Sequence, residues 1–265
     1  MRRLSLALAA LLPLLRAFAL CGGTIIFSGA GGTSASGGAL SAEAAFRAGI
    51  GGMPTQITWD DVPDSFAAPN HLPADFYNVN VTRGVFFVTP GTGFEASARP
   101  GNPSGTPTLF GDLNAGYPAN FTAFSSPRLF TPLGSNVVDV YFFVPGTSAS
   151  AVVSAFGAMF TDVETANTTS IEFFDRMNGS LGKFFAPTTV ASAGFSYLGI
   201  IFNAGEEVGR VRISLGTASL GGSESLPSAD LVVLDNLDFS PPACPTEAPS
   251  VFPPVPAAVP QTLCN

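Results

Sequence analysis

The chain reads as an all-β protein, an antiparallel β-sandwich of jelly-roll type with a short N-terminal helix. Three observations predict this. About ten short apolar segments alternate with period two, turn dipeptides separate them, and almost no segment carries a helical period. The segments lie at 56–60, 84–88, 93–97, 137–144, 153–161, 169–175, 183–186, 195–202, 208–215 and 231–239. Between them stand Pro90-Gly91, Pro145-Gly146, Asn178-Gly179 and Ala204-Gly205, whose backbones favour reversal. The clearest unit is a hairpin over 169–186. Its strand Ile171-Glu172-Phe173-Phe174-Asp175 returns through Asn178-Gly179, residues that tolerate positive φ. The helix is expected at 41–50, with Ser41 as cap, Ala44, Ala45, Phe46 and Ala48 as formers, and Gly49, Gly51 and Gly52 ending it.

Four regions follow from composition. Residues 1–19 pair Arg2 and Arg3 with an apolar run from Leu4 to Leu15 and then Ala17-Phe18-Ala19, the pattern of a cleaved signal peptide. The run is too short for a membrane span, and Pro13 and Arg16 interrupt it. Residues 20–55 are rich in Gly, Ala and Ser and read as an arm with the short helix. Residues 56–240 form the sandwich, and 241–265, with eight prolines, form an extended tail. Inside the sandwich, 99–133 reads as a long crossing loop anchored by Phe110, Phe121, Phe124 and Phe130.

Of 265 residues, 46% are hydrophobic and only 11% charged, with 24 Phe. A coiled coil needs far more charged helix formers, and a nucleic-acid binder needs a basic surface, whereas the net charge is −8. Removing Arg2, Arg3 and Arg16 leaves 8 basic against 19 acidic residues, or −11. Such a chain does not seek nucleic acid or anionic lipid. Secretion permits the cysteines Cys21, Cys244 and Cys264 to oxidise, and three thiols allow one internal bridge without fixing which. Four sequons, at Asn80, Asn120, Asn167 and Asn178, suggest glycosylated surface loops.

The chemistry-bearing residues are few. His71 is the lone histidine, and no Gly-x-Ser-x-Gly elbow accompanies it, so a surface-loop role is expected. Carboxylate pairs suited to glycoside chemistry are Glu172 with Asp175 and Asp162 with Glu164. Calcium is the expected ligand among metals, because hard cations take carboxylate and carbonyl oxygens at strand ends. Its candidate ligands are Asp60 and Asp61 with Asp64, Asp162 with Glu164, and Asp235 with Asp238 around Asn236. Strict alternation sends Asp235 to the face of Leu237 and Phe239, opposite Asn236 and Asp238, which makes it the first choice. The alternative for each is a turn-capping carboxylate. A sugar site has Trp59, Tyr77, Tyr117, Tyr141 and Tyr197 to draw on; Tyr117 suits a shallow loop site, while most of the phenylalanines are expected in the core.

Leu72-Pro73-Ala74-Asp75-Phe76-Tyr77-Asn78, Arg83-Gly84-Val85-Phe86-Phe87 and Thr89-Pro90-Gly91-Thr92-Gly93-Phe94 together resemble the opening of secreted bacterial β-sandwich domains found in PEP-CTERM-sorted proteins. The run from Pro127 to Val137 looks like the same family. The closing strand Val233-Leu234-Asp235-Asn236-Leu237-Asp238-Phe239 is similar to that of lectin-like jelly rolls. The resemblance spans about residues 43–240, and the tail departs from it, lacking a hydrophobic anchor and basic tip. It implies an extracellular or cell-surface module. The expected function is non-catalytic recognition of a glycan or surface matrix, supported by calcium. A carbohydrate-active enzyme, hydrolase or lyase, is the alternative, and a purely structural coat or adhesive protein the second.

Overall fold

The computed structural model describes residues 23–33, 37–189, 192–221 and 229–246. The signal segment, Cys21, Cys264 and most of the Pro-rich tail lie outside them. Twelve strands form two antiparallel sheets. They are β1 (Thr24–Ala30), β2 (Thr55–Ile57), β3 (Val85–Val88), β4 (Gly93–Ala96), β5 (Phe130–Leu133) and β6 (Val137–Phe142), then β7 (Ala155–Thr161), β8 (Ser170–Asp175), β9 (Ser180–Phe185), β10 (Phe195–Phe202), β11 (Val208–Ser214) and β12 (Val233–Phe239). One sheet runs β1-β10-β7-β12-β5-β4, with β2 also on β12, and the other runs β3-β6-β11-β8-β9. The inner orders β10-β7-β12-β5 and β6-β11-β8-β9 are those of a jelly roll whose eight strands are β5 to β12.

The core between the sheets is aromatic. Trp59 stacks on Phe130 with centroids 4.1 Å apart, and Phe87, Phe94, Phe142, Phe156, Phe173 and Phe239 continue the layer. Two smaller cores lie on the outer face of the seven-stranded sheet. Helix α1 (Gly38–Gly49) covers β1 and β10 through Ala39, Ala42 and Phe46. Phe110, Tyr117, Phe121 and Leu129 of the long segment after β4 cover the β12 end with Leu220 and Val233.

Three expectations change here. The N-terminal arm is part of the sandwich: β1 pairs with β10 along its full length, from Thr24↔Phe202 to Ala30↔Ser196. Its apolar core, Ile25-Ile26-Phe27, is masked in composition by the surrounding Gly, Ala and Ser. The long loop likewise ends in a strand, β5, which contains Pro132 and meets β12 only at Leu234↔Phe130. That sparse pairing tolerates the missing proline donor. The start of the tail also returns to the domain, where Ala243 pairs with Val152 and Cys244 is disulfide-bonded. In the β8–β9 hairpin Asn178, not Gly179, takes positive φ, at 66°, and Asp175 accepts from the N–H groups of Met177 and Gly179.

The helix sits close because the strands beneath it lack side chains. A Cβ on Gly199 would stand 2.5 Å from Phe46 Cδ2, and one on Gly157 2.4 Å from the Tyr197 hydroxyl oxygen. Gly199→Ala and Gly157→Ala are therefore expected to destabilise the fold by about 1–3 kcal/mol each through overpacking. Chemical denaturation checks this, with Gly23→Ala, which meets no atom within 4 Å, as the neutral control.

Candidate functional site

The acidic residues singled out by spacing are mostly braces. A β-bulge interrupts β12 against β7: Leu234 faces Phe160 and Leu237 faces Ala158, so Asp235 and Asn236 together oppose Met159. The bulge cancels strict alternation. Asp235 turns to the outer face with Asn236 and Asp238, while Leu234, Leu237 and Phe239 enter the main core. This corrects the expected placement of Asp235 beside Leu237 and Phe239.

Asp235 is fully buried and accepts the N–H of Phe124 at 2.6 Å, the N–H of Ser125 and the Ser125 hydroxyl at 2.7 Å. Its main-chain oxygen also accepts from Trp59 Nε1. Burial pushes its carboxyl up to about 8, against the opposing pull of those donors. Asp238 accepts from the Tyr197 hydroxyl and pairs with Arg47 at 3.3 Å, and it shares a side-chain hydrogen bond with Glu43 of α1. Burial first, and the Glu43 charge second, hold the Asp238 carboxyl well above the ordinary range. Glu43 also accepts from Asn236 at 2.7 Å and Gln56 at 3.1 Å.

The other predicted ligands are similarly engaged. Asp60 accepts the Arg128 N–H, and Asp61 accepts the Tyr77 hydroxyl at 2.6 Å. Asp64 binds Arg99 through two nitrogens and the buried Arg128 through a third. Asp162 accepts the Ala193 N–H, and burial raises its carboxyl to about 6. Glu164 is exposed and donates its N–H to Asp230. Among the described residues, no three His, Cys, Asp or Glu side chains gather as a metal site. The pair Glu172 and Asp175 is separated in role: Asp175 closes the hairpin turn, and Glu172 stands opposite Lys183 and Arg212 on the sheet. His71 is exposed, as are all four sequon asparagines. Sequence reasoning missed Glu95, which is buried on β4, has an unpartnered Oε1 among the described residues, and is raised to about 8 by burial and then Asp112.

The expected loop site at Tyr117 is filled by the fold. Tyr117 is buried, with its hydroxyl donating to Gly221, and Trp59, Tyr77 and Tyr197 are buried as well. Beside this loop lies a depression of about 380 Å3 lined by prolines, Leu109, Phe121, Ala123 and three hydroxyl residues, with no ionisable group.

The aromatic surface lies elsewhere. The five-stranded sheet has an outer face that no described element covers, and register places its side chains in rows. Phe86, Tyr141, Arg210 and Phe174 form one row across β3, β6, β11 and β8; Val88, Asp139, Arg212, Glu172 and Lys183 form the next. Phe185 follows on β9 and is 43% exposed. Rows two residues apart stand about 7 Å from each other. Arg210 stacks on Phe174, its guanidinium carbon 3.6 Å from the ring centre, and donates to Asp139 and Asn178. Arg212 holds Asp139 through two bonds, of 2.9 and 2.7 Å, yet its side chain remains 44% exposed. A signal for this face was present: the dipeptides Phe86-Phe87, Phe142-Phe143, Phe173-Phe174 and Phe184-Phe185 all fall on or directly beside these strands. Period two sends only one ring of each pair inward.

No family model, curated protein or solved structure matches this chain.

The raised acids set a pH dependence. Asp235, Asp238, Glu95 and Asp162 titrate higher folded than unfolded, so the unfolded chain loses its protons first as pH rises. Their contribution is complete below about pH 4 and declines through about pH 8. The melting temperature is expected to be about 5 °C or more higher at pH 5 than at pH 8. Asp235→Asn should reduce that difference; calorimetry at both pH values measures it.

Proposed function

We propose that the chain is a secreted, non-catalytic recognition module that binds a glycan on the outer face of the five-stranded sheet. The observation that carries this reading is the contrast between the two outer faces. The seven-stranded sheet is roofed by α1 and the long loop, whereas the five-stranded sheet leaves Phe86, Tyr141, Phe174 and Phe185 around Arg212, Glu172 and Lys183. Aromatic faces stack on the apolar side of sugar rings, and flanking guanidinium, ammonium and carboxylate groups bond hydroxyls. The Asp139 bridge holds both arginines in fixed rotamers, which lowers the entropy lost on binding.

The two carboxylates of this face, Asp139 and Glu172, flank Arg212, and the arginines hold Asp139; this favours binding over hydrolysis, because glycoside cleavage needs an acid and a second carboxylate free to act across the scissile bond. Asp139 is held by Arg210 and Arg212, Glu172 lies between Arg212 and Lys183, and Asp175 is committed to the turn. Secretion agrees with the N-terminal leader pattern and the exposed sequons.

A glycan array with and without calcium tests the reading. Phe174→Ala and Phe185→Ala are expected to weaken binding about tenfold or more each, equivalent to about 1.4 kcal/mol. Circular dichroism should report an unchanged fold for Phe185→Ala. Binding that survives both substitutions places the ligand elsewhere, release of reducing ends from any bound glycan establishes the hydrolase alternative, and dependence on calcium assigns the metal a role.

A further inference from the structure

We propose that β1 pairs antiparallel with β1 of a second copy of this chain, joining two seven-stranded sheets into one. Strand β1 is an edge: β10 lies on one side, and among the described residues nothing pairs on the other. The Gly31 N–H bonds to the Phe195 oxygen, so the alternating ladder directs Gly29, Phe27 and Ile25 toward β10. Thr24, Ile26, Ser28 and Ala30 therefore point their N–H and C=O groups outward. A register centred on Phe27 sets Thr24 opposite Ala30 and Ile26 opposite Ser28, so all four open residues are paired.

The other outermost strands are guarded. β3 and β4 have four residues each, and β9 carries a bulge and Lys183. β1 has seven residues in unbroken register, with Ile25 and Ile26 exposed at 42% and 53%. A second copy is the fitting occupant for two reasons. No charged residue occurs between Arg16 and Glu43, so two acidic molecules meet here without local repulsion. The helix layer fits as well. α1 straddles β1 and β10, and strands stand about 4.8 Å apart, so pairing across the seam sets the two α1 axes about 10 Å from each other, a helix-packing distance. Glu43 and Arg47 occupy the flank of α1 toward β12. The opposite flank, facing the seam by helical spacing, holds Ser41, Ala45 and Gly49, small enough for close approach.

Sedimentation velocity on the purified chain over a concentration series tests this. A reversible dimer is expected in the micromolar range. Ser28→Pro removes one outward donor, while Ala45→Arg places a charge on the exposed seam flank of α1. Each should weaken the dimer about tenfold or more while leaving the circular dichroism spectrum unchanged. A chain that stays monomeric throughout the series overturns the proposal. So does a dimer that persists in both variants, which would locate the interface on another surface.

Discussion

One extra residue in the last strand organises the roofed half of the molecule. The bulge at Asp235-Asn236 lets β12 keep Leu234, Leu237 and Phe239 in the aromatic core while turning three polar side chains to the same outer face. The long loop and α1 then dock on them. Asp235 takes the backbone of Phe124 and Ser125, Asn236 takes Glu43, and Asp238 takes Arg47 and Tyr197. Without the bulge, alternation carried on from Leu234 would send Asn236 and Asp238 into the apolar core and Leu237 and Phe239 out of it, a placement that favours unfolding. The same distortion exposes the Asp235 carbonyl to the Trp59 indole, so the inner core and the outer roof are tied at one residue.

The two outer faces follow from this division. The buried acids are satisfied mainly by N–H, hydroxyl, amide and guanidinium donors of α1, the strands beneath it and the long loop, and these close one side. On the other side, the ion pairs run across the outer face itself, with Asp139 bonded to both Arg210 and Arg212. That arrangement involves no covering element, and Phe86, Tyr141 and Phe174 are part-exposed beside the pairs.

Much of the sandwich was legible in residue alternation. The strand 195–202 was read to the residue, and β3, β6, β8 and β11 to within two residues at either end. β1 escaped because composition outweighed a three-residue apolar run, and β5 because it closes a stretch rich in Pro, Gly, Asn and Ser that reads as a loop. The placement of Asp235 could not be read, since a bulge shifts every later side chain and leaves no local signature in Val233-Leu234-Asp235-Asn236. Burial of Glu95 was equally hidden, because it depends on a segment folding back over β4. The outer aromatic face was within reach through the paired phenylalanines, had the expectation that most phenylalanines are core been tested against period two.

The connections between β5 and β12 have a kinetic meaning. Six of the seven cross from one sheet to the other, and the last strand made, β12, sits in the middle of its sheet between β7 and the pair β5 and β2. The five-stranded sheet has all its strands only once β11 is made, and the seven-stranded sheet only once β12 is. Such non-local topologies fold slowly, since loop closure precedes any reward from contact. A chain made from its N-terminus therefore closes the centre of the seven-stranded sheet last, when residue 239 arrives.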